Sequence, residues 1–167
     1  NKTVMRAVKA KRTNIKGNIM TLNTAPSERL ALIGRIAPIS QTVAVNTGLV
    51  PIKAFFRLLA VVDVGVIAST GVVNAKVQAA VGSGGSPVDI PGAAITALTQ
   101  AGSDSGKCAV INVNLDKLAG DGYTHAQLVI TPSVAAALVS GHLYGVDPRH
   151  APASDIDGTF VDEVVTV

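Results

Sequence analysis

The chain has 167 residues, 48% of them apolar, with 14 Lys plus Arg against 11 Asp plus Glu. At that length roughly 70% of the unfolded surface can be buried without metals or disulfides, which excludes disorder as the overall state. A single cysteine, Cys108, excludes an intramolecular disulfide or a thiolate metal cluster and fits a reducing cytoplasm.

The apolar content is mostly Val and Ala. Its aromatics are Phe55, Phe56, Tyr123, Tyr144 and Phe160, and there is no Trp. With 16 Gly and 8 Pro, such a composition favours many short strands joined by tight turns over long helices.

In chain order, residues 1–19 come first. They hold Lys2, Arg6, Lys9, Lys11, Arg12 and Lys16 and no acid, whereas the remainder carries 8 basic and 11 acidic residues. The chain therefore reads as an acidic body, residues 20–167, wearing a basic arm. Val4, Ala7, Val8 and Ala10 could line a short helix, but Thr13, Asn14 and Gly17 break the pattern. The arm is expected to be extended or partly helical and to order on a partner. No continuous apolar stretch follows it, so no secretory signal is read. Residues 20–38, punctuated by Pro26, Gly34 and Pro38, read as a lead-in outside the core, and Ser27 to Ile33 fits a helical turn or a strand equally.

After Pro38 the alternation of strands takes over. Strands are expected over Val43–Val50, Leu58–Ile67, Val73–Val81, Cys108–Leu115, Tyr123–Thr131 and Ala135–Leu143, with a closing run over Thr159–Val167. Leu58–Ile67 is apolar on both faces, which predicts a strand buried on both sides. The apolar run from Leu58 to Ala68, interrupted by Asp63, is far short of the roughly 20 residues a membrane-spanning helix needs. Turn chemistry stands at Gly82 to Pro87, Gly102 to Gly106, Gly120 to Gly122 and Pro132-Ser133. Seven or eight strands at these intervals define an all-β domain, an antiparallel β-sandwich of jelly-roll-like type.

Candidate chemistry was tested against ordinary readings. His125, His142 and His150 share no metal-ligand spacing. Gly102-Ser-Asp-Ser-Gly106 has Asp104 where a nucleophile elbow needs Ser. Gly82-Ser-Gly-Gly85 lacks the Lys-Ser/Thr ending of a phosphate loop. Asp116 to Asp121 and Asp155-Ile-Asp157 offer carboxylates read as solvated loop acids, without the ligand series of an EF-hand. No catalytic residue, cofactor or metal is assigned on these patterns. The arm could neutralise phosphates, but it holds no aromatic and the body is acidic, so direct nucleic-acid binding is not expected. The scarcity of Trp and Tyr also weighs against a carbohydrate platform.

Several stretches carry a family likeness: Leu59-Ala-Val-Val-Asp-Val-Gly65, Val73-Asn-Ala-Lys-Val-Gln78, Asp89-Ile-Pro-Gly-Ala-Ala-Ile-Thr-Ala-Leu-Thr99 and Ala109-Val-Ile-Asn-Val113. Leu115-Asp-Lys-Leu118, Gly122-Tyr-Thr-His-Ala-Gln127 and Arg149-His-Ala-Pro-Ala-Ser154 extend it over residues 20–167. Together they resemble tailed-bacteriophage capsid cement, or decoration, proteins of jelly-roll type. That resemblance implies a non-enzymatic virion protein on the capsid surface, made in the host cytoplasm. Its partners would be the major capsid protein and further copies of itself, as dimer or trimer, with no membrane involved. The expectation for the arm is that Lys2, Arg6, Lys9, Lys11, Arg12 and Lys16 grip an acidic neighbour. The alternative is a receptor- or glycan-binding β-sandwich module on a virion or cell surface.

Overall fold

A computed structural model describes residues 25–150, 153, 160, 161 and 163–165. The basic arm and its six cations lie outside the described residues, as does Asp155-Ile-Asp157. Pro26–Arg29 forms a single helical turn, α1, and the strands follow as β1 (Leu30–Gln41), β2 (Val45–Asn46), β3 (Val50–Pro51), β4 (Phe55–Ile67) and β5 (Val72–Ala80). The return half comprises β6 (Val88–Ala94), β7 (Leu98–Thr99), β8 (Cys108–Asn114), the helix α2 (Leu115–Gly120), β9 (His125–Ser133) and β10 (Ala137–Pro148).

All pairings are antiparallel. One sheet has the order β1-β10-β4-β8; the other has β2-β9-β5-β6, with β3 also on β9 and β7 also on β5. Traced along the chain, this is one long hairpin. Its outgoing half meets its returning half as β1 with β10, β2 and β3 with β9, β4 with β8, and β5 with β6 and β7. The tip is the Gly82 to Pro87 turn. Counting β2/β3 and β6/β7 each as one interrupted strand gives the eight strands and two interlocked Greek keys of a jelly roll. The all-β sandwich read from the sequence is the observed fold.

Several boundaries differ, for physical reasons. The expected strand Val43–Val50 is broken into β2 and β3 because Gly48 takes φ +76°, where no L side chain is comfortable. From Leu30 on, the segment read as a lead-in belongs to a 12-residue strand, β1, with Ala31, Ile33 and Ile36 buried. Pro26 starts α1, which lasts one turn before Leu30 enters β1, so the helical and strand readings of Ser27 to Ile33 are each half right. The turn placed at Pro132-Ser133 falls one step later, at Val134 with φ +68°; Pro132 sits fully buried at the end of β9. Asp116 to Gly120 is helical rather than loop, with Asp121 at the end of the helix, because the Asn114 side chain accepts from Asp116 N at 3.0 Å and caps α2. Of the run Thr159–Val167, the described residues belong to no strand.

The core lies between the sheets. From the four-stranded sheet come Phe55, Leu58, Ala60, Val62, Val64, Val139 and Leu143, and from the other Val73, Val77, Leu128 and Ile130. Small residues let the sheets close. A Cβ on Gly141 would stand 2.9 Å from both Ile130 Cδ1 and Leu128 Cδ2 of the opposite sheet, and one on Gly145 would enter the Phe55 ring. No buried side-chain nitrogen or oxygen among the described residues lacks a partner.

Candidate functional site

The two outer faces of the sandwich differ in kind. On the six-stranded sheet a polar network occupies the middle of the outward face. Lys76 Nζ lies 2.8 Å from Asp89 Oδ1, Gln78 Nε2 donates to Asp89 at 2.7 Å, and Gln127 Nε2 donates to Gln78 at 2.8 Å. The Lys76 ammonium, followed by the Gln78 amide, holds the Asp89 carboxyl below the ordinary carboxylate range. These four side chains satisfy one another.

The four-stranded sheet presents a mixed face. Its outward residues register in rows across β1, β10, β4 and β8: Leu32, Tyr144, Leu59 and Asn112, then Arg35, His142, Val61 and Val110. A further row runs Leu30, Val146, Arg57 and Asn114, and Ser140, Asp63 and Cys108 continue the grid at the other end. Beyond them Val66 is 71% exposed, Val110 54% and Leu138 42%. Gly65 leaves room for Leu138 to lie flat on the sheet, its Cδ2 2.9 Å from where a Cβ would be. His142 stacks on Tyr144 with centroids 6.1 Å apart and ring planes 23° apart.

This corrects the reading of Leu58–Ile67 as buried on both sides. Leu58, Ala60, Val62 and Val64 face the core, while Leu59, Val61 and Val66 face outward. The apolar second face marked a sheet surface left uncovered by the described residues, not a central layer. Apolar side chains in adjacent register positions, Leu59, Val61 and Val110, interleaved with Arg35, Arg57, Asn112 and His142, make this face a candidate interaction surface. Burying one Val or Leu fully contributes about 1.5–3 kcal/mol, so a few rows suffice for association once ordering costs are met.

The other sequence candidates do not converge. His125 sits at the start of β9 with Nδ1 2.8 Å from Thr124 Oγ1, His142 lies on the outer face just described, and His150 is exposed beyond β10. Among the described residues no group of three His, Cys, Asp or Glu could hold a metal ion, and no helix is long and apolar enough to cross a membrane. Asp104 organises its turn: its carboxylate accepts from Thr99 N at 2.8 Å and from Lys107 Nζ at 2.8 Å. Lys107 first, then Thr99, lowers its pKa. Cys108 is exposed on β8 opposite Asp63; desolvation of the sulfur, then the Asp63 carboxylate, pushes its thiol pKa up.

No family model, curated protein or solved structure matches this chain.

Proposed function

We propose that this chain is a structural virion protein, a capsid cement that binds the outer surface of a phage shell and bridges neighbouring major capsid subunits. The observation that carries the reading is the outer face of the β1-β10-β4-β8 sheet, where Leu59, Val61, Val66, Val110 and Leu138 are partly or largely exposed among polar side chains, set against the bonded Lys76, Asp89, Gln78 and Gln127 network on the other sheet. The jelly-roll topology, which recurs in viral coat domains, supports it, as does the likeness in the strand and turn residues.

The mechanism is contact area. A shell packed with DNA is pushed outward, and a protein bound only to the assembled state stabilises that state by mass action. Each copy need add only a few kcal/mol, because many copies act in parallel. A sandwich closed by Val, Ala and Gly is a stiff plug, and the six cations of residues 1–19 would order on acidic capsid surface. Further copies of the chain are natural neighbours in that lattice.

Co-sedimentation of the full chain with empty phage shells tests the reading. The chain should pellet with assembled shells and not with unassembled capsid protein. Val61→Arg and Val110→Arg, which replace outward side chains, should remain folded and lose binding. Undiminished binding by both variants would move the interface elsewhere, and no binding to any shell would end the proposal.

A further inference from the structure

A second feature lies at the end of the sandwich, apart from the apolar face. The turn between β3 and β4, the helix α2 with its exit, and the end of β10 enclose a cleft of about 480 Å³, within the range that takes a small ligand or a few side chains. Its lining includes buried Ile52 and Leu115, with Lys53 and Arg149 as its cations. Arg149 is held in place: its backbone N–H donates to Ala54 O at 2.7 Å and its guanidinium carbon stands 4.3 Å over the Phe56 ring. No ion pair among the described residues engages Lys53 or Arg149. An apolar hollow flanked by two cations, one of them pre-positioned, matches an extended segment that alternates carboxylates with apolar side chains.

The chain itself contains such a segment. Residues 155–163 read Asp-Ile-Asp-Gly-Thr-Phe-Val-Asp-Glu, with four acids, three large apolar residues and no cation. Within it Phe160 is 41% exposed and Glu163 is exposed, and neither lines the cleft of its own molecule. Ala153 N donates to Glu28 O at 2.8 Å, which places Ala153 against α1.

We infer that the Lys53 and Arg149 cleft receives the acidic 155–163 stretch of a second copy, linking neighbouring molecules head to tail. Such a contact is heterologous and closes into a ring where the rotation allows. It stands without the capsid reading, since no shell takes part.

The test is sedimentation equilibrium of the full chain alone, at low and high salt. The chain should associate with concentration, and more weakly at high salt. Lys53→Glu, at an exposed position with no packing role, should weaken association about tenfold or more, and so should Phe160→Ser. Mixing Lys53→Glu with a chain bearing Asp162→Lys and Glu163→Lys should recover association that neither shows alone. A wild-type chain that stays monomeric throughout, or association unaffected by Lys53→Glu and by Phe160→Ser, would overturn the inference. Because shells are absent, either result leaves the capsid-binding measurement independent.

Discussion

Replacing Gly145 with Ala adds one methyl group at the inner face of β10, and the structure assigns it no room. The new Cβ would overlap three atoms of the Phe55 ring. That ring is 1% exposed and packed in the core, so it cannot swing away without displacing its neighbours. In open solvent the same change would be mildly favourable, because Gly weakens a strand; here the overlap decides the sign. Overpacking a dense core costs about 1–3 kcal/mol, occasionally more, and the backbone of β10 is hydrogen-bonded on both sides, to β1 and β4, so the upper part of that range applies. For a domain of this size about 3 kcal/mol corresponds to a fall in Tm of roughly 6–12 °C. Gly141→Ala makes the internal comparison. Its methyl would meet the ends of Ile130 and Leu128 at 2.9 Å, and side-chain ends can yield by a few tenths of an ångström, so it should cost about 1 kcal/mol. Urea denaturation followed by far-UV circular dichroism measures both. Phe55→Leu should relieve part of the Gly145→Ala penalty in a double-mutant cycle, with coupling of at least about 0.5 kcal/mol. If Gly145→Ala is neutral, costs less than Gly141→Ala, or shows no coupling to Phe55, the steric account of the core is wrong.

Deleting residues 1–19 should leave the urea midpoint of the sandwich unchanged while weakening co-sedimentation with shells; equal shell binding by the truncated chain would remove the arm from the interface. The Asp104 carboxyl is held below its unfolded value by Lys107 and Thr99, so its contribution is present above that unfolded value, about pH 4, and is lost as pH falls through the lower folded value. Asp104→Asn should therefore flatten the acid limb of the stability curve below about pH 4, and an unchanged limb would contradict the assignment. Cys108 is exposed yet its thiol pKa is raised, so at pH 8 it should react with iodoacetamide more slowly than free cysteine. Asp63→Asn should speed that reaction, and no change in rate would remove the carboxylate from the explanation.

Local chemistry determined much of this molecule. Alternation placed the strand cores of β4, β5, β8, β9 and β10, and Gly and Asp placed the turns at Gly82 to Pro87 and Gly102 to Gly106, because pleat and positive φ are properties of a few consecutive residues. The light, Gly-rich composition pointed to short strands, and their number and spacing to a sandwich. The sequence also contained part of the candidate face, as the apolar second side of Leu58–Ile67, but its meaning was inverted. Whether an apolar side chain meets a core or open space depends on which strands lie across from it, and those pairings join residues as distant as Leu30 and Val146. The same holds for the cleft, where Lys53, Leu115 and Arg149 come together only because β4, β8 and β10 end side by side. Periodicity along a chain reports which residues share a face; only the folded sheets decide which face is left for a neighbour.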